Sequence, residues 1–102
     1  MDRERVSWMY VLECADGSFY TGISANPRRR WEQHRRGRGA RYTRSHPPVA
    51  LRGLWRYPDR RSALRAEAAF KRLSHAAKVA HLAQGAPWYD GVWDALNEGA
   101  DR

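Results

Sequence analysis

The chain is poor in cysteine, in lysine and in long apolar runs, and each shortage excludes something. Its single cysteine, Cys14, has no partner for an internal disulfide and no second thiol for a metal site. It falls in an apolar strand pattern and reads as a small buried hydrophobe. No stretch approaches the roughly 20 apolar residues of a membrane span, and the charged segment Met1 to Arg5 has no apolar signal region behind it, which predicts a cytoplasmic protein. A chain of 102 residues leaves room for one domain, and an apolar fraction of 42% with five tryptophans excludes disorder.

Lysine is nearly absent: there are 2 Lys against 17 Arg, within a formal net charge of +8. Arginine keeps its charge at any pH and contacts phosphate through two N–H groups at once, so the excess points to a polyanionic partner, nucleic acid. Eight arginines fall between Arg28 and Arg44, with Glu32 the only acid among them, and the charge is therefore a local patch. Arg28, Arg29, Arg35, Arg36, Arg38, Arg41 and Arg44 are its candidate phosphate contacts. In the segment Gly37 to Arg44 the glycines allow close backbone approach to a ligand, and Tyr42 is available to stack on an unpaired base; this stretch reads as a basic loop.

The segments Trp8 to Cys14 and Ser18 to Ile23 are rich in aromatic and β-branched residues and flank Ala15-Asp16-Gly17, a hairpin pattern. A two-residue loop would pair Glu13 with Tyr20 and split Tyr10 from Tyr20. A three-residue loop with Gly17 left-handed pairs Leu12 with Tyr20 and puts both phenols on one face, the arrangement a shared site requires. Asn26-Pro27 starts a helix that runs to about Arg36. Val49 to Tyr57 is a third strand. Arg60 to Leu73 is a helix on the spacing of Ala63, Leu64, Ala68 and Phe70, and Ser74 caps a shorter helix ending near Gln84. Residues 1–85 form the domain. Residues 86–102, with Trp88, Val92, Trp93 and Leu96 beside acids, form a tail that packs on it or docks a partner.

Cutting a phosphodiester needs an activated water, charge stabilisation on the non-bridging oxygens and relief of the leaving oxygen. Tyr10 or Tyr20 can take a proton from water, Arg30 can clamp a phosphate oxygen, and His34, four residues on along the same helix, can relay a proton or join the clamp. Of the eleven acids, ten lie near termini, in turns or at solvated helix positions. Glu67 alone falls on the side of its helix that faces the sheet, where an inward carboxylate demands either an arginine or a metal ion.

These residues resemble the GIY-YIG nuclease superfamily: Met9-Tyr10-Val11, Tyr20-Thr21-Gly22, Arg30-Trp31 with His34, and Glu67 stand in that family's order and spacing. The phrases CADGSFYTGIS, RRRWEQH, GRGARYT, PPVAL and ALRAEAAFKRL are similar to the small stand-alone bacterial members of YhbQ type, over Trp8 to about Gly85. The resemblance implies an α+β fold with a three-stranded antiparallel sheet flanked by helices. It implies one divalent ion, Mg2+ or Mn2+, on Glu67, and a tyrosine as general base, with the choice between Tyr10 and Tyr20 open. The expected activity is that of a metal-dependent endonuclease on DNA rather than RNA, in repair or recombination. The alternative is a nucleic-acid-binding module that is non-catalytic or activated by a partner.

Overall fold

The computed structural model describes residues 6–84. Strands β1 (Ser7–Cys14), β2 (Phe19–Ser24) and β3 (Pro48–Tyr57) form one antiparallel sheet in the order β2-β1-β3. Helices α1 (Pro27–Arg35) and α2 (Arg41–Ser45) lie between β2 and β3 in the chain, and α3 (Arg60–Lys71) and α4 (His75–Ala83) follow the sheet. The tail expected over residues 86–102 lies outside the described residues.

The hairpin adopts the three-residue loop. Gly17 has φ +85° and its N–H donates to the Cys14 carbonyl at 2.9 Å, while the Cys14 N–H donates to the Ser18 carbonyl at 2.8 Å. A positive φ at this position is what glycine supplies without a Cβ clash. Asp16 Oδ1 accepts from Ser18 N at 3.0 Å and from Ser18 Oγ at 2.6 Å, which holds the tip. The resulting register pairs Leu12 with Tyr20 and Tyr10 with Gly22, so the two phenols share a face.

As the central strand, β1 is covered on both sides and reads as a nearly continuous buried run. One face carries Tyr10, Leu12, Leu51 and Leu54 against Trp31 of α1; the other carries Met9, Val11 and Trp55 against Phe70 and Ala66 of α3 and Leu82 of α4. Cys14 is buried and unpaired, as its apolar setting predicts. The helix starts are capped by the side chains the sequence places there. Asn26 Oδ1 accepts from Arg29 N at 3.1 Å, Asp59 Oδ1 from Ser62 N at 2.7 Å and Ser74 Oγ from Ala77 N at 3.1 Å.

Two expectations need correction. The inward stripe of α3 is Ala63, Ala66, Glu67 and Phe70, whereas Leu64 is 41% exposed and Ala68 is exposed. Helical spacing alone admits either stripe, and packing on the sheet selects the one ending in the large Phe70 ring. The segment Gly37 to Arg44 is not a free loop. After α1 closes, with Gly37 N donating to His34 O and Arg38 N to Gln33 O, the chain enters α2, anchored by the fully buried Thr43.

Candidate active site

Each strand of the hairpin contributes one phenol and α1 contributes the groups above them. Tyr10 lies opposite Gly22 and packs over it so closely that a Cβ on residue 22 would stand 2.5 Å from the phenol oxygen. The Tyr-x-Gly spacing thus has a steric cause: Tyr20 faces the same side as residue 22, and the glycine clears the floor for the Tyr10 ring. Ring centroids of Tyr10 and Tyr20 are 6.3 Å apart, those of Tyr10 and His34 5.6 Å, and those of Tyr20 and His34 5.1 Å. The three rings form a triangle beneath α1.

Inside that triangle the Tyr10 hydroxyl and His34 Nε2 are 2.9 Å apart, and the two residues are 3% and 0% exposed. Burial pushes the Tyr10 phenol well above its ordinary range, Tyr20 and Glu67 add to the rise, and the Arg30 guanidinium opposes it through its charge and a side-chain hydrogen bond. Burial, reinforced by the positive charge of Arg30, pulls His34 down to about 4, so it is neutral at pH 7. Arg30 is itself only partly exposed and donates to Gln33 Oε1 at 2.7 Å, which aims its guanidinium. Tyr20 is partly exposed, and it is the phenol of the pair that solvent can reach.

The i,i+4 spacing of Arg30 and His34 does not make one phosphate-facing pair. His34 lies behind the phenols with Nδ1 already 2.7 Å from Thr43 Oγ1, so contact with an anion falls to Arg30. Tyr42 is not an open stacking platform either. One face of its ring lies on His46, with centroids 3.9 Å apart and planes 5° from parallel, and Tyr20 stacks with it at 6.1 Å. Its hydroxyl donates to Ser18 Oγ at 2.6 Å, latching α2 onto the hairpin tip. Arg28, Arg29, Arg35, Arg36, Arg38, Arg41 and Arg44 are all exposed, and Arg29, Arg36 and Arg38 line a shallow cleft with Glu32 and Gln33.

Glu67 stands on the inward stripe of α3 with its side chain 18% exposed, and Lys71 Nζ lies 3.2 Å from Oε2. Its partner is therefore a lysine one turn away rather than an arginine. No group of three or more His, Cys, Asp or Glu side chains gathers among the described residues, so Glu67 is not part of a multi-ligand protein cage. That donor set suits Mg2+ or Mn2+, hard ions that keep several waters and take further oxygens from substrate phosphate, and does not suit a caged structural zinc.

Sequence reasoning missed Thr43 and Lys71. The i,i+4 spacing of Glu67 and Lys71 was a readable signal. Thr43 had none, because its partner is 9 residues away on another helix.

The GIY-YIG catalytic domain family matches residues 6–80. A UPF0213 protein of Cupriavidus pinatubonensis is 46% identical over 84 residues, covering 82% of this chain and 93% of that protein. One of Xanthomonas axonopodis pv. citri is 50% identical over 82 residues, covering 80% of each. Among solved structures, the UPF0213 protein BH0048 of Bacillus halodurans aligns with TM-score 0.53 at 36% identity, covering 83% of this chain and 90% of that one. The protein EF2693 of E. faecalis aligns with TM-score 0.55 at 38% identity, covering 82% and 90%. With its three-stranded antiparallel sheet, its paired tyrosines, its helical arginine and its inward glutamate, the chain belongs to the GIY-YIG nuclease family, among the small bacterial proteins of YhbQ type.

Proposed function

We infer that the protein is a metal-dependent endonuclease that hydrolyses phosphodiester bonds in DNA, structured or single-stranded, in repair or recombination. The observation that carries this reading is the meeting of Tyr10, Tyr20, Arg30 and His34 under α1, with the charge of Glu67 acting on the same buried phenol. Exposed arginines on α1, the turn after it and α2 supply sequence-independent contacts to the backbone phosphates. Arg30 holds a non-bridging oxygen, where its planar fork stabilises the charge that builds up in the transition state. Tyr20, the solvent-accessible phenol, acts as the base that takes the proton from the attacking water. Tyr10 and His34 form the rigid wall against which Tyr20 and Arg30 are positioned. A divalent ion held by Glu67 supplies, when bound, charge stabilisation at the reacting phosphate and the leaving oxygen.

A second reading, a binding module without turnover, is favoured by one observation: Lys71 already neutralises the Glu67 carboxylate. The same experiment separates the two. Purified protein and its Glu67→Gln variant are incubated with labelled duplex, single-stranded, flapped and branched DNA, with and without Mn2+. The nuclease reading expects Mn2+-dependent cutting by the wild type and binding without cutting by the variant. Binding by both and cutting by neither supports the module, and a lack of binding removes both readings.

A further inference from the structure

Tyr20 sits on β2, an edge strand, and is only partly buried, so the sheet by itself leaves its ring a choice of rotamers. Two sets of rings remove that choice. The buried Tyr10 and His34 stand 6.3 and 5.1 Å away by centroids. Tyr42 of α2 stacks on Tyr20 at 6.1 Å with planes 22° apart. Tyr42 is 37% exposed, yet it is held at both ends. One face of its ring is covered by His46, 3.9 Å away and 5° from parallel, and His46 Nδ1 is pinned 2.9 Å from the Tyr42 carbonyl. Its hydroxyl belongs to a chain with one direction. A carboxylate only accepts, so the Ser18 Oγ proton goes to Asp16 Oδ1 at 2.6 Å, and the Ser18 oxygen accepts the Tyr42 proton at 2.6 Å.

The place of α2 does not depend on that ring. Thr43 is buried with Oγ1 2.7 Å from His34 Nδ1, and beyond the helix the Pro47 carbonyl accepts the Ala15 N–H at 2.8 Å. Both anchors survive loss of the Tyr42 side chain.

We propose that Tyr42 is a positioning residue for Tyr20: stacked on His46 and tied through Ser18 to Asp16, it confines the Tyr20 ring beside Tyr10 and His34 and so fixes where the Tyr20 oxygen stands in the site. The consequence for turnover rests on the reading of Tyr20 as the base. A base works only within hydrogen-bond reach of the water it deprotonates, and a partly exposed phenol free to change rotamer would stand out of reach part of the time. This role differs from stacking on an unpaired base. A stacking contact contributes affinity, whereas a clamp on Tyr20 acts on the rate at saturating DNA and leaves binding alone.

In the full chain with ring-labelled tyrosine, NOEs between the Tyr20 and His34 rings report the clamp, assigned by their loss in Tyr20→Phe. Tyr42→Leu should weaken those NOEs and lower the single-turnover rate at saturating DNA about tenfold or more, with affinity within about twofold of wild type, as small displacements of a reacting group do. Tyr42→Phe keeps the ring on His46 and should restore the NOEs, with a rate within about threefold of wild type, since only one exposed hydrogen bond is lost. If Tyr42→Leu does not unfold cooperatively, His46→Ala, which removes only the supporting ring, is judged by the same NOEs and rate. NOEs and rate unchanged from wild type overturn the proposal. A loss confined to affinity also overturns it and makes Tyr42 a stacking contact, and a Phe variant as slow as the Leu variant overturns the role of the ring. Absence of cleavage by the wild type on every substrate overturns the nuclease reading, and the NOEs then decide the clamp alone.

Discussion

Lys71 Nζ sits 3.2 Å from Glu67 Oε2, one turn along the same helix. A divalent ion held by Glu67, as proposed, would compete with an ammonium for this oxygen. The lysine is largely exposed, so its hold is that of a surface pair, and Lys71→Met should tighten Mn2+ binding by roughly two- to fivefold. Glu67→Gln should abolish specific binding of the ion. Titration of Mn2+ by calorimetry checks both, and equal affinities in wild type and Lys71→Met would remove the competition.

Arg30 differs from its neighbours by placement rather than by charge. It is partly buried, acts on the Tyr10 phenol and is aimed by Gln33, whereas Arg28 and Arg29 are exposed. Arg30→Ala should lower the single-turnover rate by about a hundredfold or more, the usual cost of one lost transition-state donor, while Arg28→Ala and Arg29→Ala should mainly weaken binding. Equal losses of rate in all three variants would show that the patch acts only as a field.

Stability should fall on mild acidification because of His34. Its folded pKa of about 4 lies below the ordinary value of 6.5, so the unfolded chain binds the extra proton between those limits. The contribution is fully present above pH 6.5 and is lost as pH falls toward about 4, by something on the order of 3 kcal/mol. Asp16 and Asp59, whose hydrogen bonds to Ser18 and Ser62 hold them below the usual carboxylate range, act at lower pH still. Urea midpoints for wild type and His34→Gln between pH 7.5 and 4.5 measure the difference, and the variant's midpoint should vary less over that window.

Gly22→Ala should be destabilising although it adds a single methyl group. The new Cβ would meet the Tyr10 oxygen at 2.5 Å and its ring carbon at 2.7 Å, and that ring is pinned beneath α1 by His34. Overpacking at a buried site costs typically ~1–3 kcal/mol. A shift of the urea midpoint with an unchanged slope is the expected signature, together with a perturbed Tyr10 signal in aromatic spectra.

Much of the fold is readable in one dimension because its determinants are local. The hairpin follows from Asp16-Gly17, α1 from Asn26-Pro27, α3 and α4 from Asp59 and Ser74, and each of these devices acts within four residues of itself. The tyrosine pairing is legible for the same reason: once Gly17 sets the loop, period-2 alternation puts Tyr10 and Tyr20 on one face. Arg30 and Glu67 follow from helical periodicity.

What local rules could not supply is the state of each side chain after packing. The basic segment after Gly37 becomes α2 because Thr43 finds an imidazole from another helix and Tyr42 finds the hairpin tip, partners that exist only once the sheet is covered. His34 changes from a surface member of an arginine pair to a buried neutral ring because α1 turns that position onto Tyr10. The sequence by itself determined the three strands, α1, α3 and α4, and the shared face of Tyr10 and Tyr20 once Gly17 is left-handed, since those depend on spacing and backbone propensity. Only the tertiary structure decided which phenol meets solvent, that His34 is buried between Tyr10 and Thr43, and which cation holds Glu67, because desolvation and side-chain partners arise from groups that folding brings together.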